Sequence, residues 1–390
     1  MKRRTFAFSA LASSGLAIAQ KSKFNLPAPY TTPSVNNRPQ VVAKPDGAQL
    51  SLPAGFSIEE FAAGDFGRPR FMLHGPSQEI ILSDTVANGS VFVLSKDGKN
   101  KKKILEALDR PYGMALHAGF LYVGEPSSIK RYPYDAKAQT AGKGEEIISY
   151  AGLGKGHNTR TLLVDEKAKK LYVTVGSESN SSPGEDPRRA AIHQYHLDGT
   201  GATVIATGTR NPVGLRFHPG TTDLWAAIQE RDTLGDDLVP DYFTKIQKGA
   251  FYGWPFAYTG PNEDPMNKGK NPEMVKKTIE PDMILGAHVA VLDFVFYTGK
   301  MLPAKYQNGA FICQHGSWNR SQRVGYNIVF VPFKNGKIAG PKEDFLTGWL
   351  LDPGKREVWG RPVGLLQQPD GSLLLTDDGG NKIWRISYKG

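Results

Sequence analysis

The sequence predicts an all-β fold, a six-bladed β-propeller, and three observations carry that reading. A short motif returns six times along the chain. Four of its copies lie about 40 to 50 residues apart, the span of one four-stranded blade. The 390 residues include 43 Gly and 27 Pro, which favours many short strands joined by turns over a helical bundle. In the motif an arginine stands beside proline or another turn residue, followed by an apolar stretch, a turn and a strand.

In chain order, Arg68-Pro69-Arg70-Phe71-Met72 precedes IILSD, and Arg110-Pro111-Tyr112-Gly113-Met114 precedes FLYVGE. The third copy, Asn158-Thr159-Arg160-Thr161-Leu162, leads to KLYVTVGS. The fourth, Arg210-Asn211-Pro212-Val213-Gly214-Leu215, leads to DLWAAIQE. Leu292-Asp293-Phe294-Val295-Phe296 before GAFICQHGSWNR is the least regular copy, and Arg361-Pro362-Val363-Gly364-Leu365 before SLLLTDD is the last. Most copies are followed by a further run of period two, among them SVFVLS, IKRYPY, AIHQYHL, NIVFVPF and KIWRISY, the pattern of strands. The wider gap after the fourth copy is expected to hold an insertion over residues 232 to about 287. There Asp236 or Asp237 is expected to cap a short helix in DDLVPDYFTKI.

The propeller is assigned to residues 48–390. Residues 20–47, rich in Pro and Asn, read as an extended arm. Residues 1–19 read as an export signal: Lys2, Arg3 and Arg4, a short apolar run, and an A-x-A site at Ala17 and Ala19. The run is too short to span a bilayer. The Arg3-Arg4-Thr5-Phe6 tetrad suits a twin-arginine signal, and a general secretory signal suits the same features. Either route puts the mature protein in the periplasm or outside the cell.

The formal charge is +10, but its clusters, at Lys99–Lys103 and Lys276-Lys277, lack the interleaved aromatics of a nucleic-acid module. They read as solvated faces. A single cysteine, Cys313, excludes an intramolecular disulfide, a thiolate zinc cluster and covalent haem.

In a propeller the loop leading into each blade's first strand opens on one face, so the motif arginines Arg68, Arg110, Arg160, Arg210 and Arg361 are expected on a ring around the axis. Like charges brought together need anions. Protein carboxylates (Asp84, Glu125, Glu230, Asp232) are one source, and a polyanionic ligand held by guanidinium forks is the other. His157, in the glycine-rich loop GLGKGHNTR beside Arg160, is the candidate general base. His288 and His315 fall at blade entrances, whereas His74, His117, His193, His196 and His218 read as structural. The acidic run from Glu230 to Asp237 has oxygen donors suited to calcium but no EF-hand spacing, and helix capping explains it equally well.

The strings GKGHNTRTLLV, KLYVTVGSESN, TGTRNPVGLRFHP, ERDTLGDDLVPDY, GAFYGWPF, LGAHVAV, HGSWNR and GRPVGLL occur in order. Through them, residues 48 to 388 resemble the glucose/sorbosone dehydrogenase family, and its sorbosone dehydrogenase-like branch more closely. The resemblance implies a six-bladed propeller that uses pyrroloquinoline quinone (PQQ) and Ca2+. It implies His157 as the base and Arg210 and Asn211 as contacts of the quinone oxygens and carboxylates. Arg361, with Arg160 and Arg110 of the ring, would hold carboxylates, and the carbonyls of Arg231 and Asp232 would reach calcium. The expected substrate is a small sugar or sugar-derived alcohol or aldehyde. The electrons would pass to an external acceptor, since covalent haem is excluded. Where the soluble glucose dehydrogenase branch has an aspartate supporting the base, this chain has Ser177-Glu178. That departure counts against glucose and leaves the orienting partner of His157 open. Two other functions fit such a face: a calcium-dependent lactonase, which would need an axial cluster of acids, and a non-catalytic propeller binding a carbohydrate or anionic ligand.

Overall fold

A computed structural model describes residues 22–390; the expected export signal lies outside the described residues. Six four-stranded antiparallel sheets follow one another along the chain. Blade 1 comprises Pro69–His74, Ile80–Asp84, Gly89–Leu94 and Lys101–Leu108. Blade 2 comprises Met114–His117, Phe120–Glu125, Ser128–Asp135 and Glu145–Ser149, with the short strand Thr140–Ala141 at its edge. Blade 3 comprises Leu162–Asp165, Lys170–Val175, Ala191–His196 and Thr203–Thr207. Blade 4 comprises Asn211–Phe217, Leu224–Gln229, Pro240–Lys245 and Met283–Ala287. Blade 5 comprises Val291–Phe296, Ala310–Gln314, Asn327–Val331 and Glu343–Leu346. Blade 6 joins Pro362–Gln367, Leu373–Asp377 and Lys382–Tyr388 to the early strand Phe56–Ala63. The two ends of the chain thus close the ring, and the six expected copies are the six first strands.

The motif has a physical reading. In blades 1, 4 and 6 the pairing of first and second strands shifts register just after the motif proline, between Pro69 and Met72, Pro212 and Gly214, and Pro362 and Leu365. Proline offers no N–H to the ladder, so a bulge is the place that tolerates it. The motif glycines mark where neighbouring first strands touch around the axis. A Cβ on Gly214 would lie 2.7 Å from the Leu292 carbonyl of the next blade. Gly113 and Gly364 would meet the backbone of Arg160 and Arg70 in the same way.

Each sheet is apolar on both faces, and a separate buried cluster fills each gap between blades. Leu171 and Val173 pack on Tyr122 between blades 2 and 3, and Ile192 and Ala206 pack on Leu215 and Tyr242 between blades 3 and 4. The axis itself is filled. Arg216 crosses from blade 4 to Asp293 of blade 5 (2.7 Å) and to the Leu365 carbonyl of blade 6 (3.4 Å). Tyr112, Val213, Leu292 and Val363 pack in one cluster beside it.

Two expectations are corrected. DDLVPDYFTKI holds no helix: Pro240–Lys245 is the third strand of blade 4, its alternating Tyr242 and Phe243 packed against blades 3 and 5. The insertion is therefore narrower, residues 246–282, between the third and fourth strands of that blade. It carries a small hairpin, Ala257–Tyr258 with Asn262–Glu263, and the one-and-a-half-turn helix Pro272–Lys277 capped by Asn271. Among the described residues no helix is long and apolar enough to cross a membrane.

The arm is extended and lies across the face that carries the motif arginines. Tyr30 N–H donates to the Leu234 carbonyl (2.8 Å) and Asn37 N–H to that of Trp318 (2.8 Å). Arg323 donates from Nη2 to Asn37 Oδ1 (2.7 Å), and Gln40–Val41 pairs in parallel with Glu357–Val358.

Candidate functional site

Second strands run back to the face where the motif arginines stand, so the long loops after Val175, Gln229 and Gln314 gather there. They enclose a cavity of about 600 Å3, with His157, Asn180, Arg210, Asp232, His288 and Asn319 in its wall. Arg38 of the arm and Trp318 also line it, the guanidinium 5.5 Å from the indole centre.

His157 is held by local backbone. Its N–H donates to the Ser177 carbonyl (3.0 Å), and Ser177 N–H donates to the Arg210 carbonyl (2.7 Å). Gly176 permits this packing, because a Cβ there would overlap Asn211 Oδ1 and come within 2.6 Å of His157 Cβ. The His157 Nδ1 donates to the same Ser177 carbonyl (2.9 Å), with Ser177 Oγ 3.1 Å away. A carbonyl only accepts, so Nδ1 carries the proton and Nε2 presents a lone pair. No described residue hydrogen-bonds Nε2. Withdrawal from water, followed by the charge of Arg210, pushes the imidazole down to about 3. Ser177 is thus the orienting partner that the sequence left open, through its main chain, and Glu178 makes no hydrogen bond to the ring.

Four of the five Arg210 N–H groups are taken by protein acceptors. Nε donates to the Asn180 carbonyl (3.2 Å) and Nη1 to the Glu230 carbonyl (2.6 Å). Nη2 donates to Asn180 Oδ1 (3.0 Å) and Asp232 Oδ2 (2.9 Å). Asp232 Oδ1 accepts from Asn319 Nδ2 (2.7 Å) and lies 3.5 Å from His288 Nδ1. Burial would raise the Asp232 carboxyl, but Arg210, with His288 and Asn319, brings it down to about 2. Burial wins at Glu230, which is raised to about 8 and so is largely uncharged at neutral pH.

The ring of arginines divides. Arg210 alone of the five lines this cavity. Arg110 and Arg160 line a neighbouring cavity of about 410 Å3 that shares Gly156 and His157 with the first. Arg160 donates to the carbonyls of His157 (3.1 Å), Thr159 (2.8 Å) and Pro126 (2.8 Å). Arg361 donates to the carbonyls of His315 and Gly316 (both 3.2 Å) beside Tyr326, close to the buried His315–Asp378 pair (2.7 Å). Protein carboxylates account for Arg210 and, by a 3.4 Å contact with Asp109, for Arg110. Asn211 is buried, donating to Gln229 Oε1 (2.8 Å) while its own Oδ1 has no partner.

Arg231 and Asp232 do not present two free carbonyls. The Arg231 side chain is buried against Asp264 (2.7 Å) and turns back on the Asp232 carbonyl, which also accepts from Asn180 Nδ2 (3.0 Å). No described N–H donates to the Arg231 carbonyl. Among the described residues no group of three or more His, Cys, Asp or Glu side chains is placed to hold a metal ion. Arg38, Asn180 and Asn319 were not singled out from the sequence. Asn180 closes the quoted string KLYVTVGSESN and Asn319 stands inside HGSWNR, whereas Arg38 lies in the arm, outside every quoted string.

The model of the TrAA12-like family matches residues 50–247 and 263–389. The chain belongs to the TrAA12-like family. An uncharacterized protein of Borreliella burgdorferi is 31% identical over 371 residues, covering 90% of this chain and 93% of its own. The pyrroloquinoline quinone-dependent pyranose dehydrogenase of Coprinopsis cinerea is 23% identical over 74% of this chain. The match covers 47% of that enzyme, so this family member spans about half its length. The solved holo form of its PQQ domain matches with a TM-score of 0.74 at 19% identity, over 90% of this chain and 99% of that one. The calcium structure of the Trichoderma reesei family AA12 enzyme matches with the same TM-score, 0.74, at 21% identity, over 90% and 99%. The family member is therefore related to PQQ-dependent sugar dehydrogenases. A sorbosone branch is not singled out by these matches.

Proposed function

We propose that the protein is an exported dehydrogenase that oxidises a sugar or sugar-derived alcohol at His157, with PQQ and Ca2+ held in the larger cavity. One observation carries the reading: a neutral imidazole, fixed at Nδ1 and unpartnered at Nε2, beside a guanidinium. That pair can take a hydroxyl proton at Nε2 while positive charge steadies the oxygen left behind. The names of the pyranose dehydrogenase and of the calcium form of the AA12 enzyme support the two cofactors.

The charges of the cavity bear on how these would bind. Glu178, Glu230, Asp232 and Asp241 face only Arg38 and Arg210 as permanent cations in its lining. Even with Glu230 uncharged, there is no positive surplus for three carboxylates. The cavity fits PQQ together with a divalent cation and fits it poorly alone. The cation would be held from the cavity wall, where the Asp232 carboxylate stands; Arg231 is not part of that wall. Bound there, the quinone would supply a two-electron acceptor for the hydride of the substrate carbon. Arg210 and Asn180 would orient, and Trp318 with Arg38 would cover. An external acceptor would then take up the electrons.

Titrating the purified protein with PQQ, with and without calcium, followed by a sugar screen with an artificial electron acceptor, tests this. Uptake that depends on calcium, and turnover that falls about 100- to 10,000-fold in His157→Ala with quinone still bound, is the expected result. Failure of the quinone to bind in calcium would overturn the proposal.

A further inference from the structure

The smaller cavity, between the entrances of blades 2 and 3, is cationic and has no role in the chemistry above. Its wall carries Arg110, Lys155, Arg160 and Arg189, against Asp109 as the carboxylate among its lining residues. Arg160 and Arg189 are buried, at 1% and 4% exposure. Neither is hydrogen-bonded to a carboxylate. Arg189 donates to the carbonyls of Leu153 (2.9 and 2.6 Å), Gly154 (3.3 Å), Lys155 (2.6 Å) and Gly176 (2.9 Å). Glu178, Glu185 and Asp186 face it without a bond. The acceptors of Arg160 are likewise three carbonyls, and its Nε is buried without a partner. Burying the Arg160 guanidinium with only carbonyls bonded to it is costly, and an anion delivered beside it recovers part of that cost. The Arg160 guanidinium accordingly sits lowered to about 10, with burial first and Arg189 adding to it against Tyr150.

We propose that this cavity binds the anionic group of the substrate, a carboxylate or phosphate, so that the enzyme prefers acidic sugars to neutral ones. The proposal rests on the dehydrogenase reading for its chemistry, but not for its binding. The two cavities share His157 and Gly156 as a common wall. A sugar whose anionic group lies against Arg110 and Lys155 has its ring hydroxyls on the side of that wall. The volume, about 410 Å3, lies in the range of small-molecule sites.

Calorimetric titration of the full chain with galacturonate, glucose 6-phosphate, galactose and glucose tests the idea without the quinone. The expected result is at least tenfold tighter binding of one acidic sugar than of its neutral counterpart, weakened by salt. Which acid binds identifies the anionic group. Arg110→Ala and Lys155→Ala, both at the solvent side, should remove that preference and leave neutral-sugar binding unchanged. Equal or absent binding of acidic and neutral sugars overturns the proposal. So does an Arg110→Ala variant that loses quinone affinity while keeping the acidic preference. Galacturonate binding in a protein that takes up no quinone would support the subsite and sink the dehydrogenase reading.

Discussion

His157 and Glu230 lie in one cavity and are displaced in opposite directions, because burial disfavours whichever form is charged. The unfolded imidazole titrates near 6.5, whereas the folded ring is pushed down to about 3. Its contribution to stability is therefore complete above pH 6.5 and is lost as pH falls towards 3. His315, pushed down to about 4 by burial and then by Arg361, adds to the same loss. Glu230, raised to about 8 by burial, acts the other way: its contribution is present below about 4.5 and lost as pH rises towards 8. Because these shifts oppose one another between pH 7 and pH 4, the test is the difference between variants: on going from pH 7 to pH 4 the Tm of His157→Gln should move upward relative to that of the unmodified protein. In kcat/KM the acid limb should lie well below pH 6.5, and a limb at 6.5 would mean that the base is an exposed histidine. His157 was legible from its glycine-rich loop and from the family resemblance. Its displaced titration was not, since that depends on burial in the folded cavity and then on Arg210, 53 positions away in the chain.

The Arg-Pro-x-Gly motif shows why elements of this fold repeat so visibly. Proline marks a bulge where the ladder lacks a donor, and glycine marks the contact between adjacent first strands. Both are backbone demands, met by proline in four of the six copies and by glycine in three, and so they leave a periodic trace. Gly176 makes a demand of a different kind, letting the strand end pass under His157 and Asn211. Gly176→Ala should cost about 1 to 3 kcal/mol of stability, as overpacking does, and lower turnover by displacing the imidazole. Chemical denaturation together with kcat would show it, and an unchanged kcat would mean that the ring position is not set there. The arm was recognisable as extended from its prolines. That it lies over the cavity and contributes Arg38 was not, because the clamp is made by Arg323 and the Trp318 carbonyl. The overestimated insertion has a similar cause: Pro240 at a strand start and an acidic lead-in resemble a capped helix until Tyr242 and Phe243 find their neighbouring blades.

At the scale of the whole molecule, the ring is closed by Phe56–Ala63 on Lys382–Tyr388, in which Ser57 lies opposite Ser387. A Ser57→Cys/Ser387→Cys pair should be more stable oxidised than reduced by about 2 to 5 kcal/mol, since it closes nearly the whole chain into a loop. Equal melting of the two forms would mean that the ring does not open at this seam. The amino-acid order by itself determined the blade count, the first strand of each copy and the side of the ring on which the arginines stand, because these follow from local periodicity and turn chemistry. It could not apportion the arginines. Arg110, Arg160, Arg210 and Arg361 have similar local surroundings in sequence, yet two line one cavity, one lines another and one packs beside Tyr326. Only the tertiary structure decided that, because a long guanidinium side chain goes to whichever carbonyls and carboxylates the neighbouring blades bring within reach.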